Sequence, residues 1–221
     1  MGLFGKRKEK GPSKAQQQAP AMVRGYLCKR FTNTIDGQTR ILIDYVVGGL
    51  GALCGFESYM TAIHYMPIPQ VGVGPEAIVF VQGANGDSYL YGERINQIIE
   101  PILEKVISGA GLSGQLDYTD IIQRTATRAG SDEYWHIVFT DGGLITDGPR
   151  ALVEKLRPEI GSVLSMLSIP REALAQVYVD AFLLLLEDMK TAPPNVASNL
   201  PVYVRLFIEC LYPCAHFKWT S

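Results

Sequence analysis

Between Ile41 and Met66, small residues recur along one side of an apolar segment, and their spacing constrains the fold more than any other feature of the chain. On a helix, Asp44, Gly48, Gly51, Gly55, Ser58 and Ala62 fall at alternating intervals of four and three and line one stripe. An interior glycine costs a helix roughly 1 kcal/mol relative to alanine. A helix that keeps several therefore implies that another backbone approaches it closely. The stripe predicts one helix from Thr39 to Met66, ~42 Å long, ended by Pro67 and Pro69. Leu42, Val46, Leu53 and Ile63 on its other side also require burial. The expected partner for the stripe is a helix over 171–189 of the same chain. A second copy is the alternative, forming a homodimer through Gly48, Gly51, Gly55 and Ser58. Asp36-Gly37 is a competing hairpin signal between Tyr26–Thr32 and Thr39–Tyr45, but Asp36 also suits a helix cap, and the unbroken stripe favours the helix.

The charge-free part of the same segment is too short to cross a bilayer, so a core helix is the expectation. Its longest stretch without a charge, Tyr45 to Phe56, is 12 residues against the roughly 20 required. With hydrophobic residues at 47% and charged residues at 19%, the 221-residue chain is expected to bury a sizeable core, and residues 21–221 form a single domain. The net charge of −2 hides an asymmetry. Lys6, Arg7, Lys8, Lys10 and Lys14 against Glu9 give residues 1–20 a charge of +4, which leaves −6 for residues 21–221. An acidic domain argues against a nucleic-acid partner. Residues 1–20 are expected to be a disordered basic tail. Beside Leu3 and Phe4, the cations of residues 1–14 suit at most weak contact with an anionic membrane surface. Gly2 is not in a myristoylation pattern, because Lys6 stands where Ser or Thr is needed. No signal-type apolar run follows the charged start, and Cys28, Cys54, Cys210 and Cys214 do not form a disulfide framework. The chain is expected to be cytoplasmic with reduced thiols.

Downstream, Ala77–Gln82 and Ser88–Tyr91 flank the turn cluster Gly83–Asp87 and predict a hairpin. The hairpin leads into a helix over Glu93–Ile107, kinked at Pro101 and stopped at Gly109. A short helix over Tyr118–Arg128 precedes a strand at 134–140 and an Asp141-Gly142-Gly143 turn. Helices are expected over Arg150–Leu156, Arg171–Met189 and, after Pro193-Pro194, Leu200–Leu211, with Pro213 ending the last. The fold class is α+β: a mostly helical domain with a small antiparallel sheet made of the hairpin 77–82/88–91 and the strand 134–140. That sheet is expected to pack against the helices at 93–107 and 171–189.

Three constellations bear on chemistry. Gly49, Gly51 and Gly55 would sit at a strand-to-helix turn and cradle a pyrophosphate if Ile41–Val47 were a strand. Cys54 occupies the third fingerprint position, however, and no acid follows at the required distance. Cys210, Cys214 and His216 have metal-ligand chemistry in a C-x3-C-x-H pattern, but no second local cluster supplies a fourth ligand, so buried structural thiols are the expectation. Glu57 and His64 share a helical face, and with His136 they are the candidates for a hydrolase or transferase site assembled from distant residues. Asp132 and Glu133 beside His136 read as a solvated turn.

No nucleophile, base and orienting group occur at a telling spacing. The expected function is therefore a non-catalytic protein-binding module of the adaptor, regulator, chaperone or immunity-partner type, without a cofactor. The alternatives are the distant-residue enzyme and a nucleotide-binding protein using Gly48–Gly55. Gly51, Ala52, Leu53, Gly55 and Phe56, together with Tyr89, Gly92 and Asn96, resemble a Gly-Ala-Leu-x-Gly-Phe helix and a hairpin–helix junction of bacterial proteins. That resemblance covers a small part of the chain and implies no activity.

Overall fold

The stripe helix forms, and it begins where a hairpin ends. In the computed structural model, which describes residues 14–35, 38–64, 79–138, 145–192 and 199–219, strands β1 (Thr32–Ile35) and β2 (Gln38–Ile41) pair antiparallel, with Thr32 opposite Ile41. Helix α2 (Ile43–His64) follows after one residue, and Leu42 N–H donates to Phe31 O at 2.8 Å across the base of the hairpin. The expected helix over 39–66 is thus corrected at its start. Thr39 to Ile41 are satisfied by cross-strand pairing, so both competing signals are used, one after the other. Residues 1–13, Asp36-Gly37, Pro67, Pro69, Ala77, Ile78, 139–144 and Pro193-Pro194 lie outside the described residues.

Helix α1 (Lys14–Arg30) begins inside the expected tail, so residues 14–20 are helical, while residues 1–13 lie outside the described residues. Its Ala19, Val23 and Leu27 are fully buried, and the helix packs chiefly against α6 (Leu174–Lys190). Arg24 pairs with Asp188 at 2.5 Å, and Tyr26 donates to Glu159 at 2.6 Å. The core is built around α2, which is buried continuously from Val46 to Tyr59. A helix that is apolar on all sides must be covered on all sides. By length and composition α2 could cross a membrane, but 83% of its most apolar window is buried inside the protein.

The remaining described elements are β3 (Val79–Gln82), β4 (Ser88–Tyr91), α3 (Glu93–Gly109), α4 (Thr119–Arg128), α5 (Pro149–Ser165) and α7 (Leu200–His216), with short 3-10 turns at Asp132–Trp135 and Arg171–Ala173. Two expected helices were drawn too short. α5 continues through Pro158 because Ile160 and Leu164 extend its buried face, and α7 continues through Pro213 because Cys214, Ala215 and His216 are buried. In both, burial of the following turn outweighs the hydrogen bond that proline removes.

The stripe's partner is α7, not the helix at 171–189. A side chain at Gly51 would overlap the carbonyl of Phe207, and one at Gly55 the carbonyl of Leu211. Cys210 and Cys214 lie against the same two glycines. Two small-x3-small rows therefore face each other, and the packing joins two motifs that are 159 residues apart in sequence. Gly48 and Gly49 face Leu152 and Leu156 of α5. The surface invoked for a homodimer is thus covered within the chain, and a second copy could use it only by displacing α7 and α5. α6 lies elsewhere on α2, where Cys54 Sγ donates to Ala175 O at 3.5 Å.

Among the described residues the β structure is two separate two-stranded sheets. β3 pairs β4 with Val79 opposite Tyr91. No strand forms over the described part of 134–140, because Tyr134 and Trp135 turn into an aromatic cluster with Tyr89 and Phe217. The place beside β4 is taken by the chain's end. Tyr89 bridges to Phe217, and Lys218 N–H donates to Ser88 O at 2.8 Å. β4 rests on α3 and α7, which corrects the expected contact with 171–189, while β3 is exposed throughout.

Candidate functional site: a charged double cleft along α5

Helix α5 buries Pro149, Leu152, Val153, Leu156, Ile160 and Leu164 and leaves Arg150, Glu154, Lys155, Arg157 and Pro158 exposed. Two clefts open beside it. The first, of about 560 Å³, includes Phe56, Ser88, Arg150, Phe217, Lys218 and Trp219 in its walls. The second, of about 470 Å³, includes Glu57, Leu164, Ile169, Arg171, Leu174 and Tyr178. Arg157 and Pro158 belong to both, so the clefts adjoin at one turn of α5. Their volumes fall within the ~300–1,000 Å³ range of ligand pockets.

The cationic side chains lie over aromatic rings. Arg157 lies over Phe56 at 4.4 Å, Arg150 over Phe217 at 5.2 Å and Lys218 over Phe80 at 5.2 Å. At these separations the ring quadrupole attracts the cation, and the aromatic faces hold the charges in place. Arg150 also pairs with Glu154 at 2.9 Å. Among the described residues, Arg157, Arg171 and Lys218 have no ion-pair partner within 4 Å. The aromatic floor is fixed in turn: Phe56 meets Trp219 edge-on at 5.1 Å, and Trp219 Nε1–H donates to Cys214 O at 2.9 Å.

Glu57 is the singular group of the second cleft. It is 8% exposed, and its carboxyl has no hydrogen-bond partner among the described residues. Burial pushes the carboxyl up to about 7, against the pull of the Arg157 and Arg171 guanidiniums. Burial, reinforced by Glu57 and the Cys54 thiol, also raises the Tyr178 hydroxyl.

The other sequence candidates are dispersed. His136 lines clefts on the far side of Trp135, with Arg128 donating to its carbonyl at 3.5 Å, and His64 ends α2 outside both α5 clefts. Glu57, His64 and His136 therefore do not converge, and the distant-residue catalytic set is corrected. Gly49, Gly51 and Gly55 are in the interior of α2 under α5 and α7, and the strand before them belongs to a hairpin, so they form no phosphate-binding turn. Cys210 and Cys214 are fully buried packing residues, and burial holds both thiols well above their usual range. The Cys54 thiol is raised for the same reason, and a protonated buried thiol is a poor nucleophile. His216 is 1% exposed and is held down to about 4 by burial. Its Nδ1 lies 2.5 Å from Leu90 O, so the ring ties β4 to α7. No group of three metal-ligating side chains occurs among the described residues.

Sequence reasoning singled out Glu57 but missed Arg157, Arg171, Tyr178, Lys218 and Trp219. The one local signal was Arg150 and Arg157, seven residues apart and so two turns apart on one face of α5. The rest depend on tertiary placement. Comparison with known proteins finds no family model that matches the chain, no curated protein similar to it and no solved structure similar to it.

Proposed function

We propose that the protein is a non-catalytic binding module whose partner is another protein presenting an acidic segment to the groove along α5. The observation that carries this reading is local charge set against global charge. Residues 21–221 carry −6, yet this groove presents Arg157 and Lys218 without ion-pair partners among the described residues, each over an aromatic ring. Cations held in this way attract an acidic strand or helix and give the encounter a defined orientation. The Cys54, Cys210 and Cys214 thiols are buried and held protonated, and the one fully buried histidine is neutral, so these groups are suited to recognition rather than to nucleophilic chemistry. A cytoplasmic location accords with this reading and with four cysteines that are all free thiols.

The test uses a ten-residue poly-glutamate peptide as probe. Both tryptophans, Trp135 and Trp219, belong to the aromatic cluster at the groove, so their fluorescence reports its occupation. The peptide is expected to change that fluorescence saturably, more weakly as salt is raised, and not at all in the Arg157→Glu, Lys218→Glu double variant. Equal binding of poly-lysine, or an undiminished response in the double variant, overturns the reading.

A further inference from the structure

We infer that the cleft between α2, α5 and the start of α6 is a binding site for a small zwitterion of the α-amino-acid type with an apolar side chain, its ammonium on the buried Glu57 carboxylate and its carboxylate between Arg157 and Arg171. This assignment goes beyond the partner-binding groove and uses the neighbouring cleft.

The charges of the cleft are arranged by depth. Glu57 projects from the central helix and is more than nine-tenths buried, whereas Arg157 and Arg171 are exposed at the rim. Among the described residues the carboxyl has no hydrogen-bond partner, and a carboxylate so nearly buried is costly without one. A simple anion would be held by the rim guanidiniums but would leave Glu57 unpaired and further desolvated. A simple amine would reach Glu57 only past the Arg157 and Arg171 guanidiniums, neither of which has an ion-pair partner within 4 Å among the described residues. A ligand with an ammonium and a carboxylate a few bonds apart satisfies both ends together. Tyr178, whose hydroxyl oxygen can accept, is among the residues of the same cleft, and Leu164, Ile169 and Leu174 offer apolar surface for a side chain. A cleft of about 470 Å³ accommodates such a molecule.

The experiment is isothermal titration calorimetry of the full chain at pH 7 with L-leucine, L-methionine and L-phenylalanine as probes. Two analogues of leucine separate the ends: 4-methylpentanoate, which lacks the amine, and isopentylamine, which lacks the carboxylate. At least one amino acid is expected to bind saturably, and the truncated analogues of leucine to bind at least about tenfold more weakly than leucine where leucine is the ligand; otherwise the matching analogues of the tighter ligand are used. Titrations in two buffers of different ionisation enthalpy should reveal proton release, because the ligand's ammonium holds Glu57 in its ionised form. Glu57→Gln and Arg171→Gln are each expected to lose at least about tenfold in affinity while melting cooperatively. Arg171 is exposed, so that variant remains informative even if the substitution at Glu57 disturbs folding. The assignment is overturned if none of the three amino acids binds at millimolar concentration, if the amine-free analogue binds as tightly as its parent, if protons are taken up, or if Arg171→Gln binds like the unaltered chain. Neither Glu57 nor Arg171 lines the cleft of Phe217, Lys218 and Trp219, so these results are separable from the poly-glutamate response.

Discussion

Two buried titratable groups give the protein opposing pH dependences, and each can be isolated by substitution. Glu57 is raised from 4.5 to about 7 by burial, so between those values the folded chain binds more protons at this site than the unfolded chain does. Stability from this group is complete below about 4.5 and falls as pH rises towards 7, by at most roughly 3 kcal/mol. His216 is lowered from 6.5 to about 4, so the unfolded chain binds more protons there, and stability falls as pH drops through that window. The two slopes oppose each other from about 4.5 to 6.5 and Glu57 stands alone above it. Glu57→Gln is therefore expected to raise the melting temperature relative to the unaltered chain at pH 8 and to lose that advantage by pH 5. Melting curves recorded at half-unit steps read the difference directly, and a difference that does not vary with pH contradicts the burial argument.

At the scale of elements, the junction of α2 and α7 determines whether the fold tolerates any side chain at the stripe. Gly51→Ala and Gly55→Ala each place a methyl group against a backbone carbonyl of α7, which cannot move aside as a flexible side chain would. Each is expected to destabilise by about 1–3 kcal/mol. Gly161→Ala on α5 meets nothing within 4 Å and is expected to stabilise by about 0.5–1 kcal/mol through reduced freedom of the unfolded chain. Urea unfolding of the three variants checks both signs, and equal effects at Gly51 and Gly161 would contradict close packing of α2 on α7. This junction also marks how far the sequence is legible. The stripe's periodicity is a local property, so the need for close packing could be read from Gly51 and Gly55. The identity of the partner could not, because Cys210-x3-Cys214 is 159 residues away from Gly51-x3-Gly55 and nothing local links the two. The hairpin β3–β4, the helices α3 and α4 and the mostly helical α+β class were legible for the same local reason. The expected third strand was not refuted by anything local. It fails because Phe217 and Lys218 occupy the place beside β4, a competition visible only in three dimensions. The site follows the same division. Glu57 could be singled out because it shares a helical face with His64, although the two do not act together, whereas Arg157, Arg171 and Tyr178 acquire meaning only from the cleft that they share with Glu57.

At the scale of the whole molecule, a central helix as apolar as α2 has no face that can be left open, so the surrounding helices are coverings whose removal should be felt globally. α1 is the most informative of them, because composition alone assigned its first residues to a tail. Val23 and Leu27 are fully buried, and burial of each contributes about 1.5–3 kcal/mol. Together with Ala19 and the contacts of Arg24 and Tyr26, losing α1 removes on the order of 5 kcal/mol, comparable to the ~5–15 kcal/mol by which a domain is stable. It also uncovers apolar surface on α6 and α2. A chain beginning at Ala21 loses the first turns of α1 with Ala19 and is expected to melt cooperatively at a lower temperature than the full chain. A chain beginning at Phe31 loses the whole helix and is expected to show no cooperative transition by circular dichroism and to aggregate. If the chain beginning at Phe31 melted at the temperature of the full-length protein, α1 would be an appendage rather than part of the core, and the tail boundary drawn from composition would be restored. The prediction follows from the small-residue stripe itself: a helix that gives up its side chains so that α7 can approach on one face must gain its remaining stability from the elements closed around the others.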